Sequence, residues 1–263
     1  MDRRKTVDYI SRHSVMGMLS KSYIPIENYL GFIKNKKEVV LFDSSFAGKY
    51  SNFNKINLHY YNRIIEIEGY KKKSSYTSNL IISKFSADFF KLEGKKYREI
   101  RETRNKYNKL VEVKYKIDNI DRVVEFIKKW NIDRGKEKYG WQLHSGYDIN
   151  FFNKFYNEEK DNLFSNFYYI DDELVGYAII SKEQKDNCYN YIIRKNNTKY
   201  RNLCLYIDYK IFERVFIDKD FYINWGCSSG NVLKYKKKFP IYLCEKRHFI
   251  KYERSTLQQD ELF

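Results

Sequence analysis

The chain has 263 residues, 43% of them hydrophobic and 18% aromatic, and this composition excludes an intrinsically disordered protein. It is long enough to bury the core of one large domain or of two small ones. An excess of 50 lysine and arginine residues over 34 acidic residues gives a net charge of +16, which favours anionic partners: nucleic acid, a nucleotide-bearing donor or an acidic lipid surface. Solubility alone is an equally good explanation of that charge.

The apolar runs and the cysteines bear on the compartment. No signal-like apolar segment follows the charged residues 1–5, and no run approaches the roughly 18 apolar residues of a membrane span. The four cysteines contain no CxxC pair, which argues against a zinc site. We therefore expect a cytoplasmic protein with free thiols, no metal and no membrane span.

In the first part of the chain, short strands precede helices. Enrichment in β-branched and aromatic residues predicts strands at Glu38–Asp43 and Asn57–Ile67, and a short apolar run predicts another at Leu80–Ser83. Residues 86–109 favour a helix that is interrupted at Gly94, with Ser86 as its N-cap. The order of these elements indicates an α/β chain.

Two further helices are predicted before the pattern changes. Asp118 or Asn119 caps a helix whose apolar residues recur at helical spacing, from Ile120 to Trp130. Residues 148–157 favour another helix. We interpret residues 118–160 as a helical connection.

The last third alternates strands with helices. A strand at Leu163–Ile170, a turn at 171–173 and a strand at Leu174–Ser181 predict a β-hairpin. The elements predicted after it are a strand at Asn187–Arg194, a helix at Asn202–Phe216, a strand at Phe221–Trp225, a loop at Gly226–Gly230, a helix at Asn231–Lys238 and a strand at Cys244–Lys251. A helix that crosses between strands indicates a mixed α/β sheet, which tends to bind its ligand at the carboxyl ends of its strands.

Two stretches carry a family resemblance. The first, Phe89–Lys106, reads FFKLEGKKYREIRETRNK. The second, Phe167–Ile250, contains the YIDDELVGYAI hairpin, the KYRNLCLYIDY helix entry and the NWG…LKYKKKF segment. In this order they resemble the GNAT-like acyltransferase fold, specifically the family of the C-terminal domain of phosphatidylglycerol lysyltransferase and, more distantly, FemAB-type aminoacyltransferases.

The resemblance implies an acyl- or aminoacyltransferase built from two tandem GNAT-like halves. Its expected divisions are a degenerate first half at 1–117, a helical connection at 118–160, an acyl-transfer half at 161–252 and a tail at 253–263. Such an enzyme moves an acyl group from an activated donor, either aminoacyl-tRNA or acyl-CoA, to an amine or hydroxyl. Neither donor is a tightly bound cofactor.

One position departs from the GNAT pattern. Relatives that use acyl-CoA have a glycine-containing loop whose N–H groups hold the pyrophosphate, and here Asn202 replaces a glycine. The departure weakens acyl-CoA as a donor and leaves room for aminoacyl-tRNA. Lys199 and Arg201 remain candidates to pair with an anion at that helix start.

Other candidate residues rest on charge or chemistry. Arg98, Arg101 and Arg104 lie on nearby turns of one helix and, with Lys96, form a basic stripe that binds an anion or is a solvated face. Lys236 belongs to a second cluster, which binds the donor or stabilises a helix end. For the catalytic base, His144, Asp208 and Tyr209 are candidates by chemistry alone.

The last five residues, QDELF, resemble the peptide that binds the bacterial sliding clamp, with Gln259, Leu262 and Phe263 as contacts. This tail motivates an alternative: a phage-type, DNA-base-modifying aminoacyltransferase tethered to the clamp. A second alternative is a non-catalytic nucleic-acid-binding module on the same fold. Nucleic acid is a partner in both.

Overall fold

The computed structural model describes residues 24–25, 31–34, 38–41, 53, 55–61, 66–117, 119–136, 148–149, 151–157, 160–181, 187–228 and 230–255. Two of the proposed sites, the one at His144 and the one at Gln259, Leu262 and Phe263, lie outside these residues. Among the helices that are described, none combines the length and the apolar character needed to cross a bilayer.

Strands outnumber helices in the described part of the chain. The strands are β1 (Ile24–Pro25), β2 (Gly31–Lys34), β3 (Glu38–Leu41), β4 (Lys55–Tyr61), β5 (Tyr70–Phe85), β6 (Glu112–Lys114), β7 (Leu163–Ile170), β8 (Glu173–Ser181), β9 (Cys188–Asn196), β10 (Phe221–Ser228) and β11 (Ile241–Arg254). The α-helices are α1 (Ala87–Lys91), α2 (Arg98–Tyr107), α3 (Ile120–Lys136), α4 (Leu203–Val215) and α5 (Gly230–Lys236). Short 3-10 helices occupy Lys95–Tyr97 and Lys160–Asn162, and a π-helical segment occupies Phe151–Tyr156.

The described residues form two compact units. The first draws on Met1–Ile82, Gly226–Lys237 and Ile241–Phe263, and the second on Ser83–Trp225 and Lys238–Pro240. Because the last strand, β11, lies in the first unit, these units do not follow the chain order of the predicted halves. The predicted boundaries of the halves stay a prediction.

The first unit is a mixed sheet in the order β1-β2-β3-β4-β11-β5. Strands β3 and β4 are parallel, whereas β4 and β11 are antiparallel. Its core is a cluster of buried side chains: Leu41, Phe53, Ile56, Leu58, Ile250 and Tyr252. The first half of β5 is exposed from Lys71 to Thr77, so only its second half has the apolar character expected of a buried strand.

The second unit is a sheet in the order β10-β9-β8-β7-β6 with helices on both faces. Gly176 and Tyr177 are adjacent in β8, so their side-chain directions are opposite. A side chain at Gly176 would point at Ile207 of α4, whereas Tyr177 makes a ring contact with Phe126 of α3. Covered on both faces, β8 is buried from Leu174 to Ser181.

Local sequence explains several element ends of this unit. Asn119 caps α3, because its Oδ1 accepts a hydrogen bond of 2.8 Å from the amide of Asp121. The β7–β8 hairpin turns at Asp171 and Asp172, whose φ angles of 49° and 60° are the positive values that a tight hairpin turn needs. Aspartate tolerates this conformation better than most residues.

Most predicted elements are confirmed, and the errors are local. The predicted loop at Gly226–Gly230 is wrong at its start, because β10 continues to Ser228. The run predicted at Leu80–Ser83 is only the buried end of the 16-residue β5. The short strands β1, β2 and β6 were not predicted, since two to four residues give no periodic pattern.

Candidate functional site

A buried carboxylate links β9 to α4. Asp208, on α4, is 0% exposed. Its Oδ1 accepts a hydrogen bond of 2.5 Å from the Tyr191 hydroxyl, and its Oδ2 accepts one of 2.5 Å from Arg194 Nη1. We call Tyr191, Arg194 and Asp208 the buried polar centre. Since a buried carboxylate is tolerated only when it is paired, these bonds fix the strand against the helix.

Burial, followed by the negative charge of Asp208, raises the pKa of Tyr191 well above its usual value, so Tyr191 stays protonated and donates. The Tyr191 ring stacks on Trp225 of β10, with ring centroids 5.1 Å apart and an interplanar angle of 11°. Phe212 of α4 meets the same indole edge-on at 5.2 Å. The polar centre is therefore enclosed by aromatic rings on one side.

A second set of hydrogen bonds holds α4 against β7. The Tyr168 hydroxyl donates to the carbonyl of Ile207 over 2.9 Å. Arg214 Nη1 donates to the carbonyl of Ser165 and to Oδ1 of Asn166, each over 2.7 Å. Because α4 is anchored along its length, the position of its first turn is fixed as well.

Strand β9 is irregular where its side chains enter this centre. Ile179 pairs with Ile193 and Ile180 pairs with Tyr191, so Ile192 is an extra residue, a β-bulge. On its other edge β9 pairs in parallel with β10 through Cys188, Tyr189 and Asn190, and no further pairs follow among the described residues. After Asn190, β9 therefore has no further parallel pairing with the described residues of β10.

The loop at 197–202, the β9–α4 loop, is built around Asn202. Asn202 has φ 62° and ψ 9°, the left-handed conformation that a glycine would adopt. Its Nδ2 donates to Glu99 Oε1 over 3.1 Å, and Lys238 Nζ bonds the other oxygen of Glu99 over 2.6 Å. Asn202 therefore adopts the left-handed backbone conformation that a glycine would have at this position of the loop.

The loop is also fixed through its backbone. The Tyr107 hydroxyl donates to the carbonyl of Arg201 over 2.8 Å, and the amide of Lys199 donates to Asn197 Oδ1 over 3.0 Å. These bonds place the loop against α2 before any ligand binds. They also leave the side chains of Lys199 and Arg201 exposed beside the first turn of α4.

A second buried ion pair lies at the end of β9. Lys195 Nζ is 2.7 Å from Asp148 Oδ2 and 3.6 Å from the centroid of the Trp130 ring. Burial raises the pKa of Asp148, although Lys195 opposes that change. Trp130 Nε1 donates to the carbonyl of Asn196 over 2.9 Å. The indole is therefore held next to the start of the β9–α4 loop.

The residues of the predicted basic stripe, Lys96 in the 3-10 helix and three arginines on α2, make different contacts. Arg98 is exposed and pairs with Glu102 over 2.7 Å. Arg101 Nη1 donates to the carbonyl of Leu92 over 2.5 Å, closing the turn after α1. Arg104 lies over the Tyr209 ring at 5.9 Å, and the exposed Lys96 lies over the Tyr97 ring at 5.2 Å.

Of the other predicted residues, Lys236 Nζ donates to Ser228 Oγ over 2.6 Å in the first unit. Tyr209 donates to Glu213 Oε1 over 3.0 Å, and burial raises its pKa, so its phenol stays neutral. Asp208 has both oxygens engaged away from solvent, as described above. Their roles, like those of Lys199 and Arg201, stay predictions.

Sequence reasoning did not assign Tyr191, Arg194, Glu99 or the Lys195–Asp148 pair. One signal was present: Asp208 is an acid in the otherwise apolar helix segment LCLYIDY, and such a residue needs a buried partner. The identity of that partner depends on the bulge at Ile192, and no sequence pattern predicts this bulge.

No protein-family model and no curated protein matches the sequence. Solved structures do match. The C-terminal domain of a protein assigned as a lysylphosphatidylglycerol synthetase, from Agrobacterium fabrum, is 10% identical with a TM-score of 0.60, over 94% of this chain and 90% of that one. FemX is 8% identical with a TM-score of 0.57, over 95% and 96% of the two chains.

A tandem GNAT protein from the clavulanic acid biosynthesis pathway is 7% identical with a TM-score of 0.51, over 96% of each chain. At these identities the likeness shows the fold. The predicted fold class is confirmed: this is a mixed α/β chain with the GNAT-like acyltransferase fold, shared with the lysyltransferase-type and FemAB-type structures that the sequence resembles.

Proposed function

We propose that the protein is an acyl- or aminoacyltransferase that moves an acyl group from an activated donor to an amine or a hydroxyl. One observation carries the proposal. In a GNAT-like fold, β9 bulges at Ile192, leaves its ladder with β10 after Asn190, and enters α4 through a left-handed turn at Asn202. This arrangement brings backbone N–H groups and a helix N-terminus to one edge of the sheet.

The first turn of α4 supports binding of the donor's phosphates. A 13-residue helix carries a partial positive charge at its start, which favours an anion. Lys199 and Arg201, exposed on the loop before it, add two formal charges. The donor's phosphates would bind here, and its acyl group would lie along the bulged part of β9.

Acyl transfer requires an oxyanion site beside a rigid support. The acceptor's nitrogen or oxygen attacks the donor carbonyl, the carbonyl oxygen becomes an oxyanion, and the thiol of CoA or the ribose hydroxyl of tRNA leaves. A β-bulge frees backbone groups from the ladder, so the N–H groups around Ile192 are suited to that oxyanion. Asp208, through Tyr191 and Arg194, keeps this part of β9 in place.

Two donors fit. Aminoacyl-tRNA agrees with the net charge of +16, because its phosphates attract cations. Acyl-CoA is favoured more than the sequence implied, because the left-handed Asn202 keeps the backbone path on which pyrophosphate binding depends. Both share phosphates and an acyl ester or thioester.

The test is donor consumption. The full chain is incubated with radiolabelled acetyl-CoA, or with tRNA charged with radiolabelled amino acids, and with pools of amines, peptides, lipids and nucleosides. Free CoA is followed by chromatography, because the exposed Cys244 would react with a thiol reagent. We expect label to move from one donor to one acceptor pool.

Charge variants localise the donor. Replacing Lys199 and Arg201 together by alanine should raise the KM for the donor by about tenfold, the effect of losing a charge-assisted contact. Lys109 and Lys128, exposed cations elsewhere in the same unit, form the control pair. No transfer from either donor, with nucleic acid bound tightly, would favour the non-catalytic alternative. Label on DNA nucleosides would favour the DNA-modifying one.

A further inference from the structure

An indole from α3 holds the end of β9. Trp130 Nε1 donates a hydrogen bond of 2.9 Å to the carbonyl of Asn196, the last residue of that strand. The two residues are 66 positions apart in the chain, so the bond ties a separate helix to this one point of the strand. Because the β9–α4 loop begins at the next residue, the place at which the loop leaves the sheet depends on this bond.

The first residue of the loop extends this arrangement toward α4. The amide of Asn197 donates to the carbonyl of Val175 in β8 over 2.7 Å. The Oδ1 atom of Asn197 accepts a hydrogen bond of 3.0 Å from the amide of Lys199. Asn197 thus connects the end of the sheet to the residues that precede α4. A shift of Asn196 would therefore move Lys199 and Arg201, whose charges the proposed donor site uses.

Two buried charged residues fix the orientation of the indole. Lys195 Nζ is 3.6 Å from the centroid of the Trp130 ring and 2.7 Å from Asp148 Oδ2. The side chains of Lys195 and Asp148 are only 10% and 13% exposed, so the ammonium group lies against the ring with little competition from water. The ammonium group holds the face of the ring, and the Asn196 carbonyl holds its N–H group. The indole consequently has one favoured position.

Stability alone does not explain the buried pair of Lys195 and Asp148. Burial of two charges carries a desolvation cost that their attraction offsets only in part, and apolar side chains of similar size often stabilise such a site equally well. An apolar residue would fill the space beside the ring, but it would not attract the ring face as a cation does. What Lys195 adds over an apolar residue is therefore the orientation of Trp130.

We propose that Trp130 is a positioning residue for the donor and that Lys195 and Asp148 hold it in place, an inference that rests on the proposed function. The indole acts through the Asn196 carbonyl. It keeps the β9–α4 loop where Lys199 and Arg201 meet the phosphates, before the donor arrives. Because the loop is already ordered, little conformational freedom is lost on binding and the donor binds more tightly.

The first test, on the full chain, is Trp130→Phe, which keeps an aromatic ring next to Lys195 and removes the N–H donor. The KM for the donor that the parent consumes should rise by about fivefold, roughly the effect of losing one hydrogen bond. The value of kcat should stay unchanged, because the variant alters binding and not the groups around the reacting atoms.

Phe126→Leu, on the same helix, is the matched control for a loss of packing. It removes a ring contact with Tyr177 and leaves the bond between Trp130 and Asn196 in place. Thermal stability should therefore fall in this variant, whereas its KM for the donor should equal the parent's. An equal rise in KM in both variants would mean that any weakening of α3 disturbs the loop, which overturns the specific role of Trp130.

A double variant separates orientation from stability. Lys195→Met with Asp148→Leu replaces the buried pair by apolar side chains of similar shape and leaves no charge unpaired. Thermal denaturation should show a variant at least as stable as the parent, because the desolvation cost is removed. The KM for the donor should nevertheless rise by about threefold, since the cation no longer holds the ring. A less stable double variant with the parent's KM would mean that the pair only stabilises the fold.

Two further measurements require no turnover. Hydrogen exchange followed by mass spectrometry should be faster in the peptide that covers residues 196–202 of Trp130→Phe than in that of the parent, while peptides from β7 keep the parent's rates. Calorimetry with inorganic pyrophosphate should show about fivefold weaker binding to the same variant. Should Trp130→Phe fail to fold, the double variant takes its place in both measurements.

The outcomes separate this inference from the proposed function. If donors are consumed and Trp130→Phe keeps the parent's KM and loop exchange, Trp130 only packs and the transferase proposal stands. If no donor is consumed but pyrophosphate binds the parent and binds the variant more weakly, the indole positions an anion-binding loop in a protein that is not a transferase. If no donor is consumed and the parent binds no pyrophosphate, the loop has no anion to bind and both proposals are wrong.

Discussion

Arg194 and Arg98 each bond a carboxylate, at 2.5 and 2.7 Å, yet they lie in opposite surroundings. The Arg194 and Asp208 side chains are 25% and 0% exposed, whereas those of Arg98 and Glu102 are 70% and 61% exposed. Water screens the second pair, whereas the buried carboxylate of the first pair is shielded from it. The density of positive charge in the sequence pointed to α2, but the charges that organise the proposed site are the few that are buried.

The largest effect is expected from Asp208→Ala. This change leaves Arg194 without its carboxylate and Tyr191 without its acceptor, so the free energy of unfolding should fall by roughly 3–5 kcal/mol, as for other broken buried pairs. Urea denaturation measures it. Glu102→Ala, which removes the exposed partner of Arg98, is the control and should change stability by less than about 0.5 kcal/mol. Similar losses of unfolding free energy in both variants would contradict the view that the buried pair contributes far more than the exposed one.

A smaller effect should come from Gly176→Ala, beside the buried polar centre. A methyl group there would lie 2.6 Å from Ile207 Cδ1 and 2.9 Å from the carbonyl oxygen of Lys195. Overpacking of this kind lowers stability by about 1–3 kcal/mol. Adding Ile207→Val removes the first clash but not the second, so thermal denaturation should show partial rescue. Full rescue would mean that the backbone of β9 yields easily.

Two residues of the basic stripe, Arg101 and Arg98, should differ in how much each contributes to stability. Arg101→Ala removes the donor to the Leu92 carbonyl and should lower the free energy of unfolding by about 1 kcal/mol. Arg98→Ala should have almost no effect. If instead both variants leave stability unchanged and raise the KM for the donor together, α2 binds the donor as the sequence suggested.

The smallest expected effect concerns the dependence of stability on pH. Burial raises the pKa of Asp148, so the folded chain holds that proton more tightly than the unfolded chain does. Stability is then lost as pH rises from the ordinary carboxyl pKa of 3.8 through the raised folded value. Asp148→Asn removes this proton site, so the stability of the variant should fall less steeply than that of the parent across this window. Unfolding curves at several pH values measure both slopes, and equal slopes would contradict the prediction.

The hairpin, α3 and α4 were predictable because each buries a periodic apolar pattern. The exposed half of β5 was not, since KKKSSYT has the composition of a loop and becomes a strand only by pairing. For the site, the sequence located the β9–α4 loop through Lys199, Arg201 and Asn202. It did not bring Arg194 and Tyr191 to Asp208, because that geometry depends on one extra residue in β9 and on contacts 14 to 17 residues apart.

The buried thiol of Cys188 reports on local opening of the short β9–β10 ladder. Cys188, which pairs with Tyr222 at the start of that ladder, is buried, whereas Cys244 is exposed. A thiol reagent should modify Cys244 at once and Cys188 only when β9 and β10 separate locally. The labelling rate of Cys188, read separately from the partly buried Cys204 and Cys227 by peptide mass spectrometry, thus measures how often this edge opens. A donor bound along the bulged part of β9 should lower that rate.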